Sequence, residues 1–350
     1  MSTDEMVRTE QAGAGGVVHR ARRALGGFDR RFLPVLGTVL TLALMLGVGQ
    51  QRYSTDRVDF VSMKLLSNLL VDNSYLLVLA VGMTFVILTG GIDLSVGAVV
   101  ALVGLSIAEM FTAGLPLPVV LVVGVLIGTS CGLLIGVMVQ MFDIQPFIAS
   151  LAVMFLARGL ANVISVNSLK IDDEGFSALA AWGLKFGEGR QLWRINASML
   201  VALAVLLIAF LVLHYTRFGR SVYGLGAGDG GAAVNLMGLR PARTRVWVYV
   251  ISGTCAGIAG VLFALYTKSG FNLTGIGMEL DAIAAVVIGG TLLSGGVGFV
   301  LGTGAGVLVY GLIQVLIARE GLDSWWTRVF IGVVLLAFVI LQRVLAVRRR

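Results

Sequence analysis

Long apolar runs are the feature of this sequence that most restricts its fold. They measure roughly 16 to 25 residues and are separated by polar segments. A run of about 20 apolar residues is long enough to cross a bilayer as a helix, whereas barrel strands alternate over about 10. Only 13% of the residues are charged, against about 25% in a soluble domain. The pattern predicts an all-α polytopic membrane protein with about ten transmembrane helices.

The predicted spans fall into one transmembrane domain at 32–345, between a basic N-tail at 1–31 and a basic C-tail at 346–350. Two long polar segments interrupt the domain, at 166–195 and at 216–245. The ten spans are predicted at residues 32–48, 75–89, 96–113, 119–142, 147–165, 197–215, 246–266, 281–293, 297–317 and 325–341.

Arginine clusters set the orientation. With ten spans and a cytoplasmic N-terminus, the N-tail, the 216–245 segment and the C-tail all lie inside, and each carries a dense arginine cluster. The outer connections carry mixed charges, as the positive-inside rule requires. Nine or eleven spans would put the two tails on opposite sides. We therefore predict that both termini are cytoplasmic, and we attribute the net charge of +7 to this bias rather than to nucleic-acid binding.

One stretch, GMTFVILTGGIDLSVG at 82–97, combines glycines with a carboxylate inside apolar sequence. Charges at membrane depth are costly and often mark function. The topology places this stretch at the cytoplasmic end of the second span. Asp93 is therefore predicted to belong to an inner gate or to a surface that faces a cytoplasmic partner, and not to a ligand site at the midplane. The other gate or pathway candidates here are Thr89, Gly90, Gly91 and Ser95.

A second copy of the glycine pattern occurs at 289–294 and supplies the candidates Gly289, Gly290 and Ser294. In the ten-span count both copies end spans that run inward, so the repeat would be parallel. Many transporters instead have inverted repeats, and a local similarity is also possible.

Nucleotide and metal chemistry is not predicted in this chain. No lysine completes a G-x-x-x-x-G-K-[ST] motif, and the two cysteines and two histidines are too far apart for a metal cluster. Arg158 lies inside the fifth span, where we predict a structural pairing with a carboxylate or a helix C-terminus. An ATPase, if one is used, must be another polypeptide.

The 216–245 segment has more structure than a linker. Glycines form a flexible bend near 226, and AAVNLM at 232–237 has the composition of a short helix that Gly238 should stop. A short amphipathic helix between two cytoplasmic span ends can dock in a groove of a soluble partner; a membrane-surface helix is the alternative. The candidate coupling residues are Gly226, Ala232, Ala233, Asn235, Met237 and Gly238.

Five stretches are distinctive: GMTFVILTGGIDLSVGA (82–98), QPFIASLAVMFLARGLA (145–161), FGRSVYGLGAG (218–228), AAVNLMGL (232–239) and ELDAIAAVVIGGTLLSGGVG (279–298). Together they resemble the inner-membrane permeases of bacterial ATP-binding-cassette importers for simple sugars of the ribose, xylose and galactose type. Within that family, the chain is most similar to the second permease of galactofuranose importers.

The resemblance implies a transport subunit in the bacterial inner membrane that has no ATPase site and no cofactor of its own. ATP and Mg²⁺ would bind a separate ATPase. Further implied partners are a periplasmic sugar-binding protein, membrane lipid and a second permease, identical or paralogous. This chain departs from the family at 229–231, where Asp-Gly-Gly replaces a common Asn and Glu. A proton-coupled transporter of a small polar solute and a membrane scaffold are the alternatives.

Overall fold

The structure, a computed structural model, describes residues 33–54, 59–189, 191–228, 234–235, 238–323 and 325–347. The predicted N-tail and the last residues of the C-tail lie outside these ranges. Thirteen helices and four short strands occur in the described part of the chain. They are α1 (Leu33–Tyr53), α2 (Met63–Asp72), α3 (Ser74–Leu88), α4 (Val96–Thr112), α5 (Leu117–Met141), α6 (Pro146–Ile164), β1 (Leu169–Lys170), α7 (Glu174–Ala181), β2 (Gly183–Phe186), β3 (Trp193–Asn196), α8 (Ala197–Tyr215), α9 (Arg217–Leu225), α10 (Pro241–Thr267), β4 (Ser269–Gly270), α11 (Met278–Ile288), α12 (Val300–Arg319) and α13 (Trp325–Val347).

Five of the described helices, α5, α6, α8, α10 and α12, are long and apolar enough to cross a membrane. The pair α2 and α3 meets the same criteria together, although it bends by 59° at the break between its two helices. The prediction of a helical polytopic membrane protein is therefore confirmed, with five such helices in the described part of the chain, or six if the bent pair counts as one span.

Helix α3 runs antiparallel to both α10 and α12. The ring of Tyr75, at the start of α3, packs 5.0 Å from that of Phe263 near the end of α10. Further along α3, the hydroxyls of Thr84 and Thr303 are 2.8 Å apart, and Thr303 lies near the start of α12. The buried side chains of α3 therefore fill the centre of the bundle, between two helices that run the opposite way.

Helices α3 and α11 run in the same direction. Gly289, just after α11, packs against Gly302 near the start of α12, and Gly306 of α12 packs against Ala285 within α11. Helix α11 is thus antiparallel to α12, as α3 is, and both end at the same end of the bundle. The two glycine motifs therefore form a parallel repeat within this part of the fold.

Glycines join α5 to α10 at backbone contact distance. A Cβ placed on Gly128 would lie 2.4 Å from the carbonyl oxygen of Gly253, and one on Gly132 would lie 2.2 Å from that of Tyr249. No side chain larger than hydrogen fits there. Helix α10 therefore packs directly against the glycine face of α5.

The connection at 166–195 is more ordered than the polar segment that the sequence predicts. It holds α7, a β2–β3 hairpin and strand β1, which pairs with β4 from the 268–277 loop. The Oγ atom of Ser67 donates to the carbonyl oxygen of Arg194 at 2.8 Å and ties the connection to α2. The β1–β4 pairing and the Ser67–Arg194 hydrogen bond join residues far apart in sequence, so no local sequence pattern predicts them.

Candidate functional site: a glycine junction and a buried carboxylate

The turn after α3 depends on two glycines. Gly90 has a left-handed φ of 79°, a conformation that suits glycine. At Gly91, an added Cβ would lie 2.4 Å from the hydroxyl oxygen of Tyr249 on α10. The chain can therefore turn from α3 toward α4 directly against α10 only if both positions lack side chains.

Asp93 is completely buried in this turn. Its Oδ1 accepts hydrogen bonds from the amide of Ser95 at 3.0 Å and from the Ser95 hydroxyl at 2.6 Å. Its Oδ2 accepts from the Ser252 hydroxyl at 2.8 Å. The carboxylate thus links the α3–α4 turn to α10 through Ser252, and Ser95 holds the carboxylate in position within the turn.

Asp93 lies deeper in the structure than the cytoplasmic surface to which the span count assigns it, and its role at an inner gate stays a prediction. Ser252 is eleven residues beyond the start of α10, which corresponds to about 16 Å along the helix axis. Asp93 therefore lies well inside the bundle and not at its end. The span count could not show this, because it treats each span end as a membrane surface.

The second glycine turn, after α11, meets the first one. The amide of Gly296 donates to the carbonyl oxygen of Leu88 at 2.9 Å, and a Cβ on Gly295 would lie 2.8 Å from the amide nitrogen of Gly90. Gly290, Gly295 and Gly296 all have left-handed φ values. Gly289 instead packs on α12, and Ser294 is exposed.

Gly226 packs against both glycine turns where they meet. A Cβ placed on it would lie 2.0 Å from the carbonyl oxygen of Leu88 and 2.1 Å from the amide nitrogen of Gly296. Nearby, the Tyr223 hydroxyl donates to the carbonyl oxygen of Gly298 at 3.0 Å. We call the contact of Gly226 with the turns at 88–91 and 289–298 the glycine junction. It brings together residues predicted for coupling and residues predicted for the gate.

Three of the predicted gate residues, Thr89, Gly90 and Gly91, line an open cleft of about 440 Å³ beside the junction. The remaining lining comes from the end of α5, the start of α6 with the loop before it, and the start of α10. Those residues are Val139, Asp143, Ile144, Gln145, Pro146, Arg245 and Tyr249.

Part of the candidate coupling segment is described. Gly238 has a left-handed φ of 69°, its amide donates to the carbonyl oxygen of Asn235 at 2.9 Å, and the amide of Leu239 donates to that of Val234 at 3.1 Å. These two bonds form the Schellman pattern that ends helices, in agreement with the predicted stop. Asn235 is exposed. Ala232, Ala233 and Met237 lie outside the described residues.

Sequence reasoning missed Ser252 and Tyr249. Both lie inside an apolar span, and Ser252 is 159 positions away from its partner Asp93. The two side chains acquire their roles only through the packing of α10 against α3 and α4.

Comparison with known proteins identifies the family. The family model described as "Branched-chain amino acid transport system / permease component" matches residues 65–339. The fructose import permease protein FruG of Bifidobacterium longum (strain NCC 2705) is 40% identical over 318 residues, which cover 90% of this chain and 92% of FruG. The inner membrane ABC transporter permease protein YjfF of Escherichia coli (strain K12) is 43% identical over 324 residues, covering 91% and 94%.

A third relative is the galactofuranose transporter permease protein YtfT of Escherichia coli (strain K12), 36% identical over 270 residues that cover 75% of each chain. No solved structure matches the chain. The helices and their buried turns define a multi-pass α-helical membrane protein. The chain belongs to the family of transport-system permease components, and the predicted resemblance to the permeases of simple-sugar importers is confirmed.

Proposed function

We propose that this chain is the transmembrane subunit of an ATP-binding-cassette importer that moves a monosaccharide across the bacterial inner membrane. The names of three relatives support it: two are import or transport permeases for fructose and galactofuranose, and one is an inner membrane permease. Fructose and galactofuranose are accordingly the first sugars to consider.

The proposed topology has ten spans with both termini in the cytoplasm. The alternating directions of α3, α10, α11 and α12 support it, as does the location of the glycine junction beside α9, at the start of the arginine-rich segment. The contact of the Phe218 and Phe85 rings, with centroids 6.4 Å apart, places α9 against the last turn of α3.

The proposed coupling route runs from a separate ATPase, which binds ATP and Mg²⁺, through the segment 226–239 to the spans. The packing of Gly226 carries this proposal. A displacement of Gly226 toward the carbonyl of Leu88 or the amide of Gly296 must move these groups, because no free space separates them. Helix α3 ends at Leu88, and Gly296 lies in the turn that follows α11, so one input would reach two spans. Thr89, Gly90 and Gly91 would then form the inner gate, at the wall of the cleft.

The further partners are a sugar-binding protein that delivers substrate to the outer face and a second permease, identical or paralogous. A proton-coupled transporter is the competing function. The bonding of Asp93 argues against it, because both carboxylate oxygens are held by serine hydroxyls and a backbone amide, and a relay would need ionisable neighbours.

The test is reconstitution in liposomes with the ATPase, the second permease and the binding protein, followed by uptake of radiolabelled D-fructose, D-ribose and D-galactose. We expect uptake of at least one sugar only with ATP and all components. Uptake by this chain alone, driven by a pH gradient, would overturn the proposal. ATP hydrolysis without uptake of any substrate would favour a non-transporting scaffold.

A further inference from the structure

A polar cluster on α6 lies apart from the glycine junction and the cleft. Arg158 is the one charged residue of α6, about 9 Å from the helix end at Ile164. Its Nη1 donates to the carbonyl oxygens of Asn272 and Thr274, the latter at 2.7 Å. These bonds fasten α6 to the 268–277 loop. Arg158 thus makes a structural pairing, as predicted, but its hydrogen-bond acceptors are loop carbonyls and not a carboxylate or a helix C-terminus.

The cluster has more hydrogen-bonding capacity than these contacts use. A guanidinium has five N–H donors, and among the described residues only Nη1 of Arg158 has partners. One turn further on, Asn162 accepts a hydrogen bond from Nδ2 of Asn272. The Asn162 side chain is exposed, and its own amide nitrogen makes no contact in the described part of the chain.

Asn272 supplies the second observation. Its side chain is only 7% exposed, yet its Oδ1 has no hydrogen-bond partner among the described residues. A buried acceptor without a partner destabilises the fold. That oxygen is closed to solvent in this conformation, so a ligand would reach it only after a movement of the 268–277 loop or of the Arg158 side chain. A group that donates a hydrogen bond would then remove the penalty.

The side of α6 that carries Arg158 and Asn162 is poorly suited to contact lipid. The helix buries a stripe of small residues, Ala149, Val153, Ala157 and Ala161, so Arg158 and Asn162 lie on its flank. Polar side chains within a span face the protein interior or a water-filled cavity. On this principle Arg158 and Asn162 face water or another protein chain, although Phe155, one turn away on the same flank, is 65% exposed. Leu156 and Val163 occupy the opposite, wholly apolar flank.

We propose that Arg158, Asn162 and Asn272 form a subsite that recognises monosaccharide hydroxyls in the outer half of the pathway. A sugar hydroxyl both donates and accepts, which matches a set of free N–H donors beside an unpartnered carbonyl oxygen. The free donors of Arg158 and Asn162 make the first contacts, and Oδ1 of Asn272 joins when the loop moves. This subsite rests on the proposed sugar-import function and on a second permease that encloses the flank.

The first test measures selectivity in the complete importer, reconstituted in liposomes. Uptake of the best-transported of D-fructose, D-ribose and D-galactose is compared with that of its monodeoxy analogues, for wild type, Asn162→Leu and the matched control Val163→Leu. We expect Asn162→Leu to reduce the preference for the parent sugar over one analogue by about three- to tenfold, the equivalent of one hydrogen bond. Val163→Leu should keep the wild-type ratio.

The possible outcomes distinguish a failure of the proposed import function from a failure of the proposed subsite. Absence of ATP-dependent uptake by the wild-type importer contradicts the import function itself. Wild-type uptake combined with an unchanged ratio in Asn162→Leu overturns the subsite, because a structural defect slows parent and analogue equally.

A second test does not depend on transport. In a Cys131→Ala, Cys255→Ala background, Asn162→Cys should react with a charged, membrane-impermeant methanethiosulfonate reagent added to the intact complex. Val163→Cys, whose native side chain is 83% exposed on the apolar flank, should remain unmodified. Labelling of position 163 and not 162 would place lipid at the cluster and overturn the subsite.

Discussion

The amide of Gly296 donates a hydrogen bond to the carbonyl oxygen of Leu88 at 2.9 Å, and Gly226 packs against both atoms. Backbone from three distant parts of the chain thus meets with no side chain between. Such a contact transmits displacement directly, because closely packed groups have little free volume in which to relax.

Gly226→Val should disrupt the glycine junction. The new Cβ would lie about 2 Å from two backbone atoms, and overpacking of this kind costs about 1–3 kcal/mol. We expect a lower Tm in detergent and, in the reconstituted importer, less sugar transported per ATP hydrolysed. Gly47→Ala is the control, since a Cβ there meets nothing within 4 Å. An unchanged transport-to-hydrolysis ratio in Gly226→Val would contradict the coupling role.

Gly238→Val should uncouple hydrolysis from uptake and leave the protein in the membrane. Its left-handed φ of 69° strains a β-branched residue, so the helix stop after Asn235 is lost. Gly238→Asn is the matched variant, because asparagine tolerates this conformation, and it should retain most of the uptake. The measurements are membrane yield, ATPase rate and sugar uptake. Equal uptake by both variants would show that the stop is not needed.

Ser252→Ala should weaken the attachment of the α3–α4 turn to α10. It removes one of the three donors to the buried Asp93 carboxylate and leaves Oδ2 unpaired, at a cost of about 1–3 kcal/mol. We expect a lower Tm, measured by thermal unfolding in detergent. Ser130→Ala should leave the Tm unchanged, because the Ser130 hydroxyl is exposed and bonds only to Leu126 of its own helix. Equal Tm values for the two variants would contradict this role of Asp93.

The Arg52–Glu320 pair should make stability depend on acid pH. Hydrogen bonds from Arg52 and Tyr53 lower the pKa of Glu320 from 4.5 to about 2. A carboxylate with a lowered pKa stabilises the folded state fully above its unfolded pKa, and this contribution is lost as pH falls from about 4.5 toward 2. Glu320→Gln should therefore show a smaller fall in Tm between pH 6 and pH 3.

Because this pair is exposed, the effect should shrink at high salt. A double-mutant cycle with Arg52→Gln isolates the coupling of the two groups. A wild-type fall in Tm that Glu320→Gln reproduces in full would contradict the assignment to this pair.

Much of the helical architecture follows from the sequence alone. The bounds of α8 agree with the predicted span at 197–215, because apolar sequence ends there in polar residues on both sides. Helix α10 begins five residues before its predicted span, since Pro241 favours the first helical turn even though arginines follow it. Helix α1 likewise continues through polar residues to Tyr53.

The site was less accessible to prediction. The glycine motifs marked the turns correctly, but the depth of Asp93 depends on how far α3 and α4 reach along α10. The contact of Gly226 with Leu88 likewise depends on tertiary packing. Hydropathy records which residues enter the bilayer and carries no information about which helices meet.

The glycine contacts between α5 and α10 have a consequence for how this protein moves. Two helices whose backbones touch at Gly128, Gly132 and Gly253 have no side-chain layer along which to slide, so they will travel as one rigid body. Any movement that opens or closes the transport pathway must then occur where the α5–α10 pair meets the other helices. Amide exchange should accordingly be slow and uniform across the pair and faster in the 268–277 loop beside it.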